Sequence, residues 1–149
     1  MTRKFAVLSA TISAALFMAA GSAQAFTLIK DSEAKLPAAA GSLATRGITR
    51  GPAIKQIAPA PDEAIKSPLN LKVSFEARGG AKIDPASVKA TYLKATPVDL
   101  TARLKPGISD NGIDLSGAEV PPGEHQIDIA VTDSEGRQSH SVITVKVAK

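Results

Sequence analysis

The side chains of this chain that could hold a metal or move a proton near neutral pH are few, and they lie late in the sequence. Two histidines occur, His125 and His140, in 149 residues that include no cysteine. Between them stands Asp133-Ser134-Glu135-Gly136, a run suited to a tight turn because glycine enters positive φ cheaply. If the flanking segments pair as a hairpin, the two imidazoles come into roughly opposite register. With Glu124 or Asp128 beside them they would offer ligands of the kind Zn or Cu accepts. A structural Zn site usually wants four ligands, however, and histidines flanking a hairpin are more often surface residues. Upstream, Asp110, Asn111 and Asp114 present oxygens that calcium could use. Calcium takes roughly six to eight oxygens, and Asp-Asn-Gly has a sufficient local reason to exist as a turn. The expectation is no metal site, with His125, His140, Asp110 and Asp114 as the places to look for one.

Catalysis finds no foothold either. The chain holds no G-x-S-x-G, no H-E-x-x-H, no glycine-rich phosphate loop and no cysteine nucleophile. No catalytic residue, cofactor-binding residue or cofactor is expected. Stacking on sugar rings usually needs exposed aromatics, and beyond residue 25 only Phe26, Phe75 and Tyr92 occur. The last two fall on inward-facing positions, where Tyr92 would need a partner for its hydroxyl.

Composition narrows the setting. Residues 1–25 read as a targeting segment: Arg3 and Lys4, an apolar stretch over 5–20, and the small-x-small site Ala23-Gln24-Ala25. The apolar stretch is short of the roughly 20 residues a membrane span needs. Cleavage near Ala25 would leave a product starting at Phe26, in the periplasm or outside the cell. The whole chain carries 18 basic and 14 acidic residues, and loss of Arg3 and Lys4 leaves a net charge near +2. That is too small and too evenly spread for a nucleic-acid footprint. Without cysteine there is no disulfide scaffold, so burial alone must hold the core.

The elements that would position these residues are strands. Over 69–77, Leu69, Leu71, Val73, Phe75 and Ala77 alternate with polar residues, the period-two pattern of a half-buried strand. Val88, Ala90 and Tyr92 repeat the pattern. So do Ile127, Ile129 and Val131 before the Asp133 turn, and Val145 and Val147 after it. Residues 53–57 form a short first strand and 113–120 another. The segment 97–108 fits a strand through Val98, Leu100, Ala102 and Leu104. It also fits a short helix near 97–105, with Thr96 as N-cap and Pro97 at the first helical position, and this reading is preferred. Residues 26–51 read as an irregular lead-in, with one helical turn near Glu33. The core is expected to contain Leu71, Val73, Phe75, Val88, Tyr92, Ile127, Ile129, Val131, Val145 and Val147.

Four motifs follow in order: P-x-I-x-x-I-x-P from Pro52, S-P-L-x-L-x-V-x-F from Ser67, I-D-P-x-S-V-x-A-x-Y from Ile83, and V-P-P-G-E-H-x-I-x-I-x-V-x-D-x-x-G-R from Val120. Together they resemble the Ig-like domains of bacterial periplasmic and surface proteins, over about two-thirds of the chain. The resemblance implies an all-β, Ig-like antiparallel sandwich of about seven strands over residues 52–149. A weaker resemblance, through the strand at 68–75, is to periplasmic copper-carrier sandwiches. Those are known for a histidine at the mature N-terminus, and here no histidine precedes His125. The expected function is an exported binding or structural module engaging another protein, through an edge strand at 53–57 or after Lys94. The alternative is a metal-handling, copper-carrier-like protein. Neither nucleic acid, a membrane span nor carbohydrate is expected as a partner.

Overall fold

Backbone conformation follows the alternation of side chains. The computed structural model describes residues 25–41 and 50–149, so the expected leader lies outside the described residues but for Ala25. In chain order the elements are β1 (Phe26–Thr27), α1 (Asp31–Ala34), β2 (Ala53–Ala58), β3 (Ala64–Ile65), β4 (Leu69–Glu76) and β5 (Lys89–Tyr92). Then come β6 (Val98–Asp99), α2 (Thr101–Leu104), β7 (Ile108–Ser109), β8 (Gly112–Glu119), β9 (Gly123–Thr132) and β10 (Gln138–Val147). One sheet has the order β1-β8-β4-β2, with β7 also on β8; the other runs β3-β10-β9-β5-β6. The two share one hydrophobic core, so the fold is an all-β sandwich. Among the described residues no helix is long and apolar enough to cross a membrane.

Every side chain expected in the core is buried. On β4, Leu69, Leu71, Val73 and Phe75 point in, while Asn70, Lys72 and Glu76 are exposed. They meet Val88, Ala90 and Tyr92, and Ile127, Ile129 and Val131, from the opposite sheet. Full burial of one such aliphatic side chain contributes about 1.5–3 kcal/mol. Gly112 opens β8 at φ 146°, where a Cβ would overlap the Val73 carbonyl oxygen, so the close pairing of β8 with β4 needs glycine there.

Four expectations need correction. The described residues form ten strands rather than about seven, because β1, β3, β6 and β7 have only two residues each. The pairing is not wholly antiparallel: β1 runs parallel to β8, and β3 parallel to β10. Ala77 lies beyond the end of β4 and is exposed. The helix near 97–105 exists but starts at Thr101, not Pro97. Val98 and Asp99 pair with β5 instead, and the Asp99 carboxylate accepts the Thr101 N–H at 2.8 Å. Leu100 and Leu104 are then both fully buried, which a helix begun at Pro97 was not needed to achieve.

The supposed irregular lead-in is partly built into the fold. Phe26 and Thr27 add to the edge of β8, and the N–H groups of Leu28 and Ile29 donate to the Glu119 carbonyl at 2.9 and 3.3 Å. Leu28 and Ile29 are 1% exposed. Farther on, Ala95 donates to the Pro37 carbonyl at 2.9 Å and Ala38 bridges Lys94. Residues 26–38 therefore form a strap from the edge of one sheet to the end of β5 in the other. Polar residues made this segment read as a spacer; Leu28 and Ile29 seat it in the core, with Phe26 and Ala34 packed against it.

Candidate binding groove and the buried tyrosine–histidine pair

The candidate metal residues do not converge. On the ladder between β9 and β10, His125 faces Val145 and His140 faces Ala130. Five residues of β10 separate these positions, about 17 Å along a strand. An odd offset also puts the two imidazoles on opposite faces of the sheet. His140 is exposed, with Nδ1 3.2 Å from an Asp128 carboxylate oxygen. His125 is 2% exposed and belongs to the core. Asp110 is exposed in the turn between β7 and β8, and Asp114 makes a surface ion pair with Lys72 at 3.4 Å. Glu124 is exposed on β9. Among the described residues no three His, Cys, Asp or Glu side chains group around a point.

What His125 does instead is satisfy Tyr92. Its Nε2 lies 2.8 Å from the Pro121 carbonyl oxygen, which can only accept, so the ring proton sits on Nε2. Nδ1 is then the acceptor, and the Tyr92 hydroxyl donates to it at 2.8 Å. Both nitrogens of the neutral imidazole are engaged. Burial lowers the His125 pKa, the bond to Pro121 opposing it and nearby Lys94 adding to it. Burial, with a smaller contribution from the Glu33 charge, pushes the Tyr92 hydroxyl up to about 12. Lys94 stands over the Tyr92 ring, Nζ 5.1 Å from its centre, and donates to the Ala34 carbonyl at 2.9 Å.

Beside this pair the strap is clamped. Arg103, on α2, donates to both oxygens of Glu33 at 2.7 and 2.6 Å and to the Leu28 carbonyl at 2.9 Å. A paired guanidinium–carboxylate of this geometry is among the stronger polar contacts. The Arg103 bonds, helped by the Lys30 N–H, hold the Glu33 carboxyl down to about 2 against the effect of its burial.

Strap and sandwich together enclose an open groove of about 310 Å³. Thr27, Ile29 and Asp31 form the strap wall, and Ser67 and Pro68 the opposite wall. Glu119, Val120 and Pro121, in the corner leading to β9, complete it. Two bonds fix its walls: Val120 N–H to Ser67 Oγ at 3.0 Å, and Thr27 Oγ1 to a Glu119 carboxylate oxygen at 3.2 Å. Asp31 and Glu119 are exposed at its margin, so its polarity is acidic.

Of the two edges expected to accept a partner, β2 does lie at the edge of its sheet, and the other is covered within the chain. On β2, the Gln56 side-chain amide bridges to β10, donating to the Thr144 carbonyl at 2.7 Å and accepting its N–H at 3.1 Å. Ile57 on that strand remains 52% exposed. The end of β5 after Lys94 is occupied by the strap at Pro37 and Ala38. The groove, the clamp and the Tyr92–His125 bond were not anticipated. One signal was available: His125 is in phase with Ile127, Ile129 and Val131, so the alternation that placed them inside placed it inside too. Comparison of the chain with family models, with curated proteins and with solved structures gave no match.

Proposed function

We propose that this chain is an exported, non-catalytic Ig-like module that binds another protein through the acidic groove beside the strap. The groove is the observation that carries this reading. Its margin offers Asp31 and Glu119, and its lining offers the apolar surfaces of Pro68 and Pro121 above the buried Ile29 and Val120. Such a surface complements an extended segment bearing lysine or arginine. The Ig-like reading is supported by the strand order. β2, β4 and β8 with β7 lie in one sheet, and β5, β9 and β10 in the other, as in seven-stranded Ig domains. The opening strand is also divided between the sheets, β2 on β4 and β3 on β10. Export is supported by the leader-like residues 1–25, and cleavage after Ala25 would leave β1 whole.

The test is a photo-crosslinking side chain in place of Ser67, with exposed Lys72 on β4 as the control position. The expected result is one adduct from periplasmic extract at Ser67, none at Lys72, and loss of the adduct when Asp31 and Glu119 are both changed to lysine. An adduct that survives the charge reversal would overturn the groove as the binding site.

A further inference from the structure

The Tyr92–His125 pair is connected to the strap through one cation. Lys94 stands over the Tyr92 ring and holds the Ala34 carbonyl, while its backbone bridges Ala38. With Nε2 bonded to Pro121, the one place a further proton can enter His125 is Nδ1. Protonation there converts the acceptor for the Tyr92 hydroxyl into a donor. The hydroxyl must then accept, and its own hydrogen loses its partner inside the core. A second positive charge also arises beside Lys94. The acidic groups around the pair offset it only in part, Glu124 having the smallest of the influences on His125. Glu124, on His125's own strand, is exposed, and Glu33, reaching over from α1, is paired with Arg103. Moving Lys94 outward relieves the repulsion most directly, and that movement releases Ala34.

We propose that His125 is a pH-operated latch for the strap: its protonation drives Lys94 off Tyr92, loosens residues 26–38, and dismantles the groove wall they provide. Leu28 and Ile29, covered while the latch is closed, come into reach of solvent when it opens. Acidity then controls access to the groove side of the sandwich.

Hydrogen exchange followed by NMR on the purified protein tests this at about pH 7.5 and at about pH 4. The lower point lies well below the ordinary imidazole range because burial lowers the His125 pKa, and it is set where the ring signal shows the protonated form. After correction for intrinsic rates, the Leu28, Ile29 and Ala95 amides should lose about tenfold protection at the lower pH, while β9 and β10 amides do not. Strap signals should shift with titration of the His125 ring and not with that of His140. His125→Gln, which can still donate to Pro121, should hold the strap closed at both pH values, and His140→Gln should behave like the parent. Unchanged strap protection in the parent, strap signals that follow His140, or a pH-dependent loss persisting in His125→Gln would each overturn the proposal. If His125→Gln does not fold, the ring titration in the unsubstituted protein decides the matter.

Discussion

The hairpin of β9 and β10 and the strap bury side chains equally well by quite different means. In the hairpin, ten residues pair with ten across a short turn, and inward side chains recur at every second position. The turn adds its own lock. Burial would raise the Asp133 carboxyl, but N–H groups of Arg137 and Glu135 and the Arg137 guanidinium outweigh it and hold it below the usual range. The strap pairs only two residues with β8 and depends on Arg103 and Lys94, both far away in sequence. Local pairing makes a segment part of the cooperative unit. A segment held by a few distant polar groups can open by itself, at less than the cost of unfolding.

The largest effect should separate the two regions with one chemical change. Ile129, in β9, and Ile29, in the strap, are 0% and 1% exposed. Ile129→Ala should lower global stability by about 2–5 kcal/mol, the range for an aliphatic truncation in a packed core. Ile29→Ala should cost clearly less in chemical denaturation, because the strap can detach and cap the loss. Equal shifts in midpoint would show that strap and hairpin unfold as one unit.

Next comes the clamp. Glu33→Gln keeps the shape and removes the charge, and should weaken the strap by about 1–3 kcal/mol, read as faster exchange at Leu28 and Ile29. Because the Glu33 carboxyl falls from 4.5 to about 2 on folding, its contribution is present above about 4.5 and is lost as pH falls through about 2. An acid titration of strap exchange should show that loss in the parent and not in the variant.

A smaller effect is expected at the buried pair. Tyr92→Phe removes the donor to His125 Nδ1 and should cost about 1–2 kcal/mol, by thermal or denaturant unfolding. The Tyr92 hydroxyl rises from 10.0 to about 12 on folding, so its contribution is complete below 10 and is lost between there and about 12. The variant should lack that alkaline loss. His140→Ala should change least, within about 0.5 kcal/mol, since its pairing with Asp128 lies on the exposed face. A larger change would give His140 a structural part that its exposure does not suggest.

Alternation along the chain was sufficient for the frame. Leu69 to Phe75, Val88 to Tyr92, and Ile127 to Val131 each declare an inward face, because neighbouring side chains of a strand leave on opposite sides wherever it pairs. The core, the last hairpin and the all-β class followed from that local geometry, and so did the need of Tyr92 for a polar partner. What answered that need was decided only in three dimensions. His125 meets Tyr92 across 33 residues and Arg103 meets Glu33 across 70, and no spacing rule in one segment encodes a contact with another. The two-residue strands and the start of α2 at Thr101 have the same origin. Such short segments have too few residues to show a period, and their conformation is set by the sheet edge or carboxylate they meet. The groove belongs to the fold alone, since its walls come from the strap, the approach to β4 and the corner after β8.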